Sequence, residues 1–151
     1  MNKKTLQNGF TLIELIIVMV ILGIMAAVAV PRYLDSIENA EASAEDAVIS
    51  SIRAGLKQAA NNSLLTGGRA TWPSNPFDAL AEKPAGHTAD VNNADVDGEW
   101  TFVDNNDGSG QITHQRADNS RYTWDYNSGT QGGGDDAAIG ALGQRVQVVN
   151  Q

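Results

Sequence analysis

The chain has no cysteine among its 151 residues. Disulfide frameworks, thiolate metal sites and cysteine nucleophiles are therefore excluded. Whatever holds the C-terminal half must be packing, hydrogen bonds or a bound metal. Histidine is nearly as scarce. His87 and His114 are the only two, and neither sits inside a recognisable motif. The G-x-S-x-G elbow, the phosphate loop and the metalloprotease helix motif are missing as well. Nothing in the sequence calls for catalysis, and the chain reads as a non-enzyme. Basic residues are few, ten against eighteen acidic, for a net charge of −8. Two of the ten, Lys3 and Lys4, lie in the first nine residues. A chain so acidic repels nucleic acid at long range, so no nucleic-acid partner is expected. Aromatic content is 6%. With only Phe10 and Tyr33 in the long helical region, a continuous aromatic path along it is unsupported.

What the chain does have is one dense apolar block. From Phe10 to Val30 the only charge is Glu14 and the only hydroxyl is Thr11. As a helix these residues would span roughly 31 Å, at about 1.5 Å each. That matches a bilayer core of about 30 Å. Lys3 and Lys4 precede the block, and the positive-inside tendency puts that end in the cytoplasm. Ala27-Val28-Ala29 offers an A-x-A-like site, so an ordinary cleaved secretory signal followed by a secreted soluble domain is a rival reading. Glu14 argues against it. A carboxylate in an apolar helix costs up to about 3 kcal/mol at the bilayer centre, and a disposable signal has no reason to carry one. A positive group at similar depth on a neighbouring helix would offset that cost, and a new amine at Phe10 would be such a group. Pro31, just past the A-x-A site, also restricts the backbone there.

The run Gly9-Phe10-Thr11-Leu12-Ile13-Glu14, with the basic leader, the apolar length and the following proline, resembles the processing motif of type IV prepilins and type II secretion pseudopilins. The resemblance covers about the first third of the chain. It implies cleavage between Gly9 and Phe10 by a prepilin peptidase at the cytoplasmic face, with methylation of the new amine of Phe10. It implies that Glu14 guides assembly by neutralising the terminal amine of an adjacent subunit. It places a partly unwound stretch of the assembled helix at Gly23–Pro31. The plainer reading of Gly23 and Pro31 is that both residue types are common in transmembrane helices, with a kink expected at Pro31 because it lacks the N–H that would bond to Ala27.

The implied function is structural. The chain would be a type IV pilus subunit serving adhesion, motility or uptake. Its partners would be other copies of itself, related pilins, the peptidase and an inner-membrane assembly platform. It would rest in the inner membrane with a cytoplasmic N-terminus before joining a surface pilus. The alternative within the same resemblance is a pseudopilin forming a periplasmic piston. The tyrosine-proline and proline-tryptophan-glycine features of a major pseudopilin are absent. Pro31-Arg32-Tyr33-Leu34-Asp35 and Asn75-Pro76-Phe77 look somewhat like mannose-sensitive haemagglutinin-type pilins. The missing cysteines depart from pilins with a disulfide-closed C-terminal loop.

The expected fold is α+β, a long N-terminal helix packed on a small antiparallel meander. Residues 1–9 form the leader, 10–30 the transmembrane and polymerisation segment, and 31–66 an amphipathic continuation. Apolar or small residues recur at Leu34, Ile37, Ala44, Val48, Ile52, Leu56 and Ala59, with Asp35, Glu38, Glu41, Glu45 and Asp46 spread over the other faces. Gly67-Gly68 is a natural stop. Residues 67–98 read as an irregular αβ-loop, pinned by Trp72, Pro73, Pro76 and Phe77. Strands are expected at Glu99–Val103, Gln111–Arg116 and Arg121–Tyr126, with Trp100, Phe102, Ile112, His114, Tyr122, Trp124 and Tyr126 sharing the face toward the helix. Residues 127–151 are Gly-rich, with an edge strand at Arg145–Val149.

Two small motifs remain. Asn93, Asp95, Asp97, Gly98 and Asp104 sit at offsets loosely like a calcium loop. With Asn first, Asp last and no flanking helices, an acidic turn is the preferred reading and no cofactor is expected. Asn61-Asn62-Ser63 fits the glycosylation pattern and reads as helix end or turn.

Overall fold

A computed structural model describes residues 9–129 and 139–148. The chain divides into two compact units, Met1–Ala42 and Ser43–Gln151. One helix, α1, spans Leu12–Gly67. Its stop is physical. Gly68 takes φ 70°, and its N–H bonds to the carbonyl of Leu64 at 2.9 Å. That is the left-handed cap that glycine adopts without penalty.

In the second unit, four antiparallel strands form a sheet in the order β1-β2-β3-β4. They are β1 (Trp100–Asp104), β2 (Ser109–Gln115), β3 (Arg121–Asn127) and β4 (Val146–Val148). The expected α+β architecture of a long helix with a small antiparallel sheet is what the structure has. The β1–β2 turn is set by Asp104, whose carboxylate accepts from the Asn106 N–H, and by Asp107, which accepts from Ser109. Asn106 and Asn119 supply the positive φ their turns need, at 61° and 66°. β4 is the anticipated edge strand, paired Thr123↔Val146 and Arg121↔Val148. Val149 and Gly132–Gly134 lie outside the described residues.

The register Trp100↔His114, Phe102↔Ile112 and Ile112↔Trp124 brings the aromatic residues onto one face. That face packs on Ile49, Ile52 and Leu56 of α1. Trp100 stacks on Trp124 at 5.6 Å between ring centroids. Burying side chains of this size supplies about 1.5–3 kcal/mol each. The buried helix stripe is Glu45, Ile49, Ile52, Leu56 and Ala60. Ile52 and Leu56 are buried as expected, but the expected Leu34 and Ile37 are exposed and elsewhere the stripe shifts by one residue. Ala44 is exposed, Val48 and Ala59 are half-buried, and Glu45 is fully buried rather than on a solvated face. An error of one residue turns the face by about 100°, enough to misplace a charge.

The connection from helix to sheet is ordered by its own contacts. Asn75 caps a short 3-10 helix, Pro76–Ala79, accepting from the Phe77 N–H at 2.9 Å. Phe77 is fully buried, and Tyr126 donates its hydroxyl to the Pro73 carbonyl at 2.7 Å. Gly55 lets the helix approach this segment. A Cβ there would collide with the backbone carbonyl of Ala79. On the other sheet face, residues 92–97 lie over a threonine pair. Thr113 Oγ1 accepts from the Ala94 N–H, and Thr101 Oγ1 bonds to the Asn92 carbonyl, both at 2.7 Å.

Candidate functional site

The first unit presents its apolar side chains to solvent. Every described residue from Gly9 to Ala40 is exposed. Phe10 is 89% accessible and Leu12 74%. The helix has a stretch long and apolar enough to cross a membrane, and none of that stretch is buried. A monomeric soluble protein rarely exposes a large contiguous apolar patch, so this surface is built to be covered.

Glu14 has a local role at the helix start. The Thr11 hydroxyl accepts from the Glu14 N–H at 3.3 Å, and Glu14 Oε2 accepts from the Thr11 N–H at 2.8 Å and from its hydroxyl at 2.7 Å. This is a reciprocal capping box, which satisfies donors that a helix start leaves open. The signal for it was present in the sequence as Thr-x-x-Glu ahead of an apolar run. Among the described residues, Oε1 takes no hydrogen bond, so the carboxylate keeps acceptor capacity. The peptide between Gly9 and Phe10 is exposed and uncrowded. Lys3 and Lys4 lie outside the described residues. The helix continues through Gly23 and Pro31. The unwinding expected there for assembled pilins is not a feature of this single chain.

In the second unit, the structure gathers a buried charge cluster that the sequence reading missed. Glu45 Oε1 accepts from Arg116 Nε at 2.6 Å, and Oε2 from Arg116 Nη2 at 2.7 Å. His114 Nδ1 lies 2.9 Å from Oε1, and Arg145 Nη1 donates to Oε2 at 3.1 Å. Burial pushes the Glu45 carboxyl up, but the hydrogen bonds and charges of Arg116 and His114 outweigh it and hold it down at about 2. Arg116 also lies over the Tyr122 ring at 3.9 Å, and His114 stacks on Trp100 at 4.2 Å. The cluster ties helix, sheet and C-terminal segment together. Its part is structural.

Of the loosely calcium-like residues, Asp95 bonds through its backbone to the Glu99 carboxylate. Glu99 Oε2 accepts from the N–H groups of Asp95 and Val96, and its Oε1 accepts from Thr88. The Asp95 bond and then the Thr88 bond hold its carboxyl below the usual range. Asp104 turns to the Asn106 N–H. Among the described residues, no group of three or more His, Asp or Glu gathers to hold a metal. His87 lies edge-on to Phe77 at 4.5 Å. Asn61 and Asn62 are exposed on the last turns of α1, and the Ser63 hydroxyl accepts from the Thr71 N–H at 2.8 Å.

Residues 4–30 match the family model for the prokaryotic N-terminal methylation motif. The chain is similar to a type IV major pilin protein of Neisseria gonorrhoeae, 44% identical over 81 residues, covering 54% of this chain and 46% of that protein. A fimbrial protein of Neisseria meningitidis is 48% identical over 72 residues, covering 48% of this chain and 39% of that one. A type IV major fimbrial protein of Dichelobacter nodosus is 55% identical over 40 residues, 26% of each chain. In its N-terminal segment, the chain is similar to type IV pilins. The chain spans under half the length of these curated relatives. No solved structure matches it significantly.

Proposed function

We propose that this pilin-like chain is a structural subunit of a type IV pilus. It would polymerise through its N-terminal helix for adhesion, motility or uptake. The observation that carries the reading is the exposed apolar surface of α1 from Leu12 to Val30, which begins one residue from an accessible Gly9–Phe10 bond and contains a single acid. In a membrane, lipid covers that surface. In a fibre, the same helices cover one another, and no new apolar surface is needed.

The order of events follows from the charges. The precursor enters the inner membrane with Lys3 and Lys4 in the cytoplasm. A prepilin peptidase cuts after Gly9, and the new Phe10 amine is methylated. An assembly platform lifts the subunit from the bilayer. As it does, Glu14 meets the Phe10 amine of an adjacent copy, and each offsets the other's desolvation. Mass spectrometry of the mature N-terminal peptide tests the reading. The expected peptide begins with methylated Phe10. A mature chain starting at Val30 would mean a discarded secretory signal and would overturn it.

A further inference from the structure

The charge pattern beyond the apolar block implies a second contact between copies. Arg32 is the one basic residue between Phe10 and Ile52, while Asp35, Glu38, Glu41, Glu45 and Asp46 follow it. Arg32 and Asp35 are both exposed. Among the described residues, neither forms an ion pair, though they stand three residues apart on one helix. Copies packed in register would set Arg32 against Arg32. An axial offset is needed to give the guanidinium a carboxylate.

We propose that Arg32 of one copy pairs with Asp35 of the adjacent copy, and that this pair and the Phe10 amine with Glu14 are set by a single offset. The proposal rests on the polymerisation reading above. Placing Phe10 of one copy level with Glu14 of the next shifts the two helices by four residues, about 6 Å at 1.5 Å per residue. All copies are identical, so the same translation applies along the whole helix. Arg32 then comes level with Ser36 of the neighbour. Asp35 lies about 1.5 Å away along the axis and Glu38 about 3 Å. Asp35 is the nearer, and an Arg–carboxylate pair spans the gap between helices about 8–10 Å apart. Just outside the apolar block, the pair sits in partly desolvated surroundings, where it selects register more than it adds affinity. Offsets of zero, or of the opposite sign, leave Arg32 facing arginine or apolar residues.

The test is charge reversal in the full chain, beside the wild-type chain in cells that carry a pilus assembly system, with sheared filament measured against membrane-inserted precursor. Arg32→Asp alone sets Asp against Asp35, and Asp35→Arg alone sets Arg against Arg32. Each should lower the filament fraction at least about tenfold, because every added copy loses an attraction and gains a repulsion. Co-expression of the two single variants should restore filaments containing both chains, since each then meets its complement across the seam. Rescue by the double variant in one chain, without rescue by mixing, would place the pair within a chain and overturn the proposal. Undiminished filaments from both single variants would also overturn it while leaving polymerisation standing. A wild-type chain that makes no filament at all would remove the polymerisation reading, and the pairing with it.

Discussion

Replacing Glu45 with Gln is the sharpest test of what holds the second unit together. The substitution keeps volume and shape, removes one charge and turns one acceptor into a donor. Arg116, whose side chain is 2% accessible, keeps its charge and loses its bidentate partner. Breaking a buried pair from one side is destabilising by about 3–5 kcal/mol. The lower end applies here, because Arg145 is 33% accessible and Tyr122 still faces the Arg116 guanidinium. The pH dependence gives a second view. The Glu45 carboxyl lies at about 2 in the folded chain, against 4.5 ordinarily. A depressed carboxylate stabilises fully above its unfolded value, and that contribution disappears as pH falls from 4.5 toward 2. A difference of that size corresponds to about 3 kcal/mol. Below that window, protonated Glu45 resembles Gln, so the mutant and wild type should converge. In thermal melts of the full chain in detergent, followed by tryptophan fluorescence, Glu45→Gln should melt about 12 °C lower at pH 7, at about 4 °C per kcal/mol for a unit of this size. The gap should close toward pH 2. A gap under about 4 °C at pH 7, or one unchanged across the acid range, would refute the reasoning.

Other outcomes follow from single contacts. Glu14→Ala should leave membrane insertion intact, weaken the first turn by about 1 kcal/mol through loss of the capping box, and sharply reduce sheared filament; normal filament yield would refute the role of that charge. Gly55→Ala should destabilise by about 1–3 kcal/mol, because the Ala79 carbonyl must move aside. Gly67→Ala meets nothing within 4 Å and should be neutral or stabilising by up to about 1 kcal/mol, so a pair of melts separates close approach from helix propensity. Calcium and chelator should give the same melting midpoint, because the Glu99 carboxylate already holds the 95–96 backbone; a calcium-dependent rise would show that the acidic loop takes an ion.

Local patterns made much of the fold legible. The helix stop at Gly67-Gly68 and the aromatic face of the meander follow from rules that act over a few residues. Glu14 stands out in the sequence because a charge in an apolar run is conspicuous. The buried cluster was not. Its partners lie 69, 71 and 100 residues from Glu45 in sequence, and no short-range signal joins them. Even so, Glu45 shares a 3.6-residue period with Ile49, Ile52, Leu56 and Ala60. Counting that template strictly would have put a carboxylate in the core and raised the question of its partner. Burial of Thr101 and Thr113 under residues 92–97 was hidden for another reason. A strand alternating threonine with aromatics reads as one wet face, and only the loop's return makes it dry.

The missing cysteines make sense once the C-terminal segment is followed. It is fastened at several points without a covalent bond. Gly140 and Gly143 donate backbone N–H groups to the carbonyls of Asn127 and Asp125, at 2.7 and 2.8 Å. Leu142 enters the core. Arg53 donates to the Gly143 carbonyl at 3.1 Å, and Arg145 reaches Glu45. Each tie alone is modest, roughly 0.5–1.5 kcal/mol for a typical hydrogen bond and more where a charge takes part. Together they amount to the few kcal/mol a disulfide commonly contributes. The two fastenings differ in what they answer to. A disulfide is indifferent to acid, whereas this closure shares its anchoring carboxylate with Arg116 and His114. Protonating one buried residue therefore weakens the hold on the C-terminal segment and on the sheet together, which makes Glu45 the point on which the second unit's stability turns.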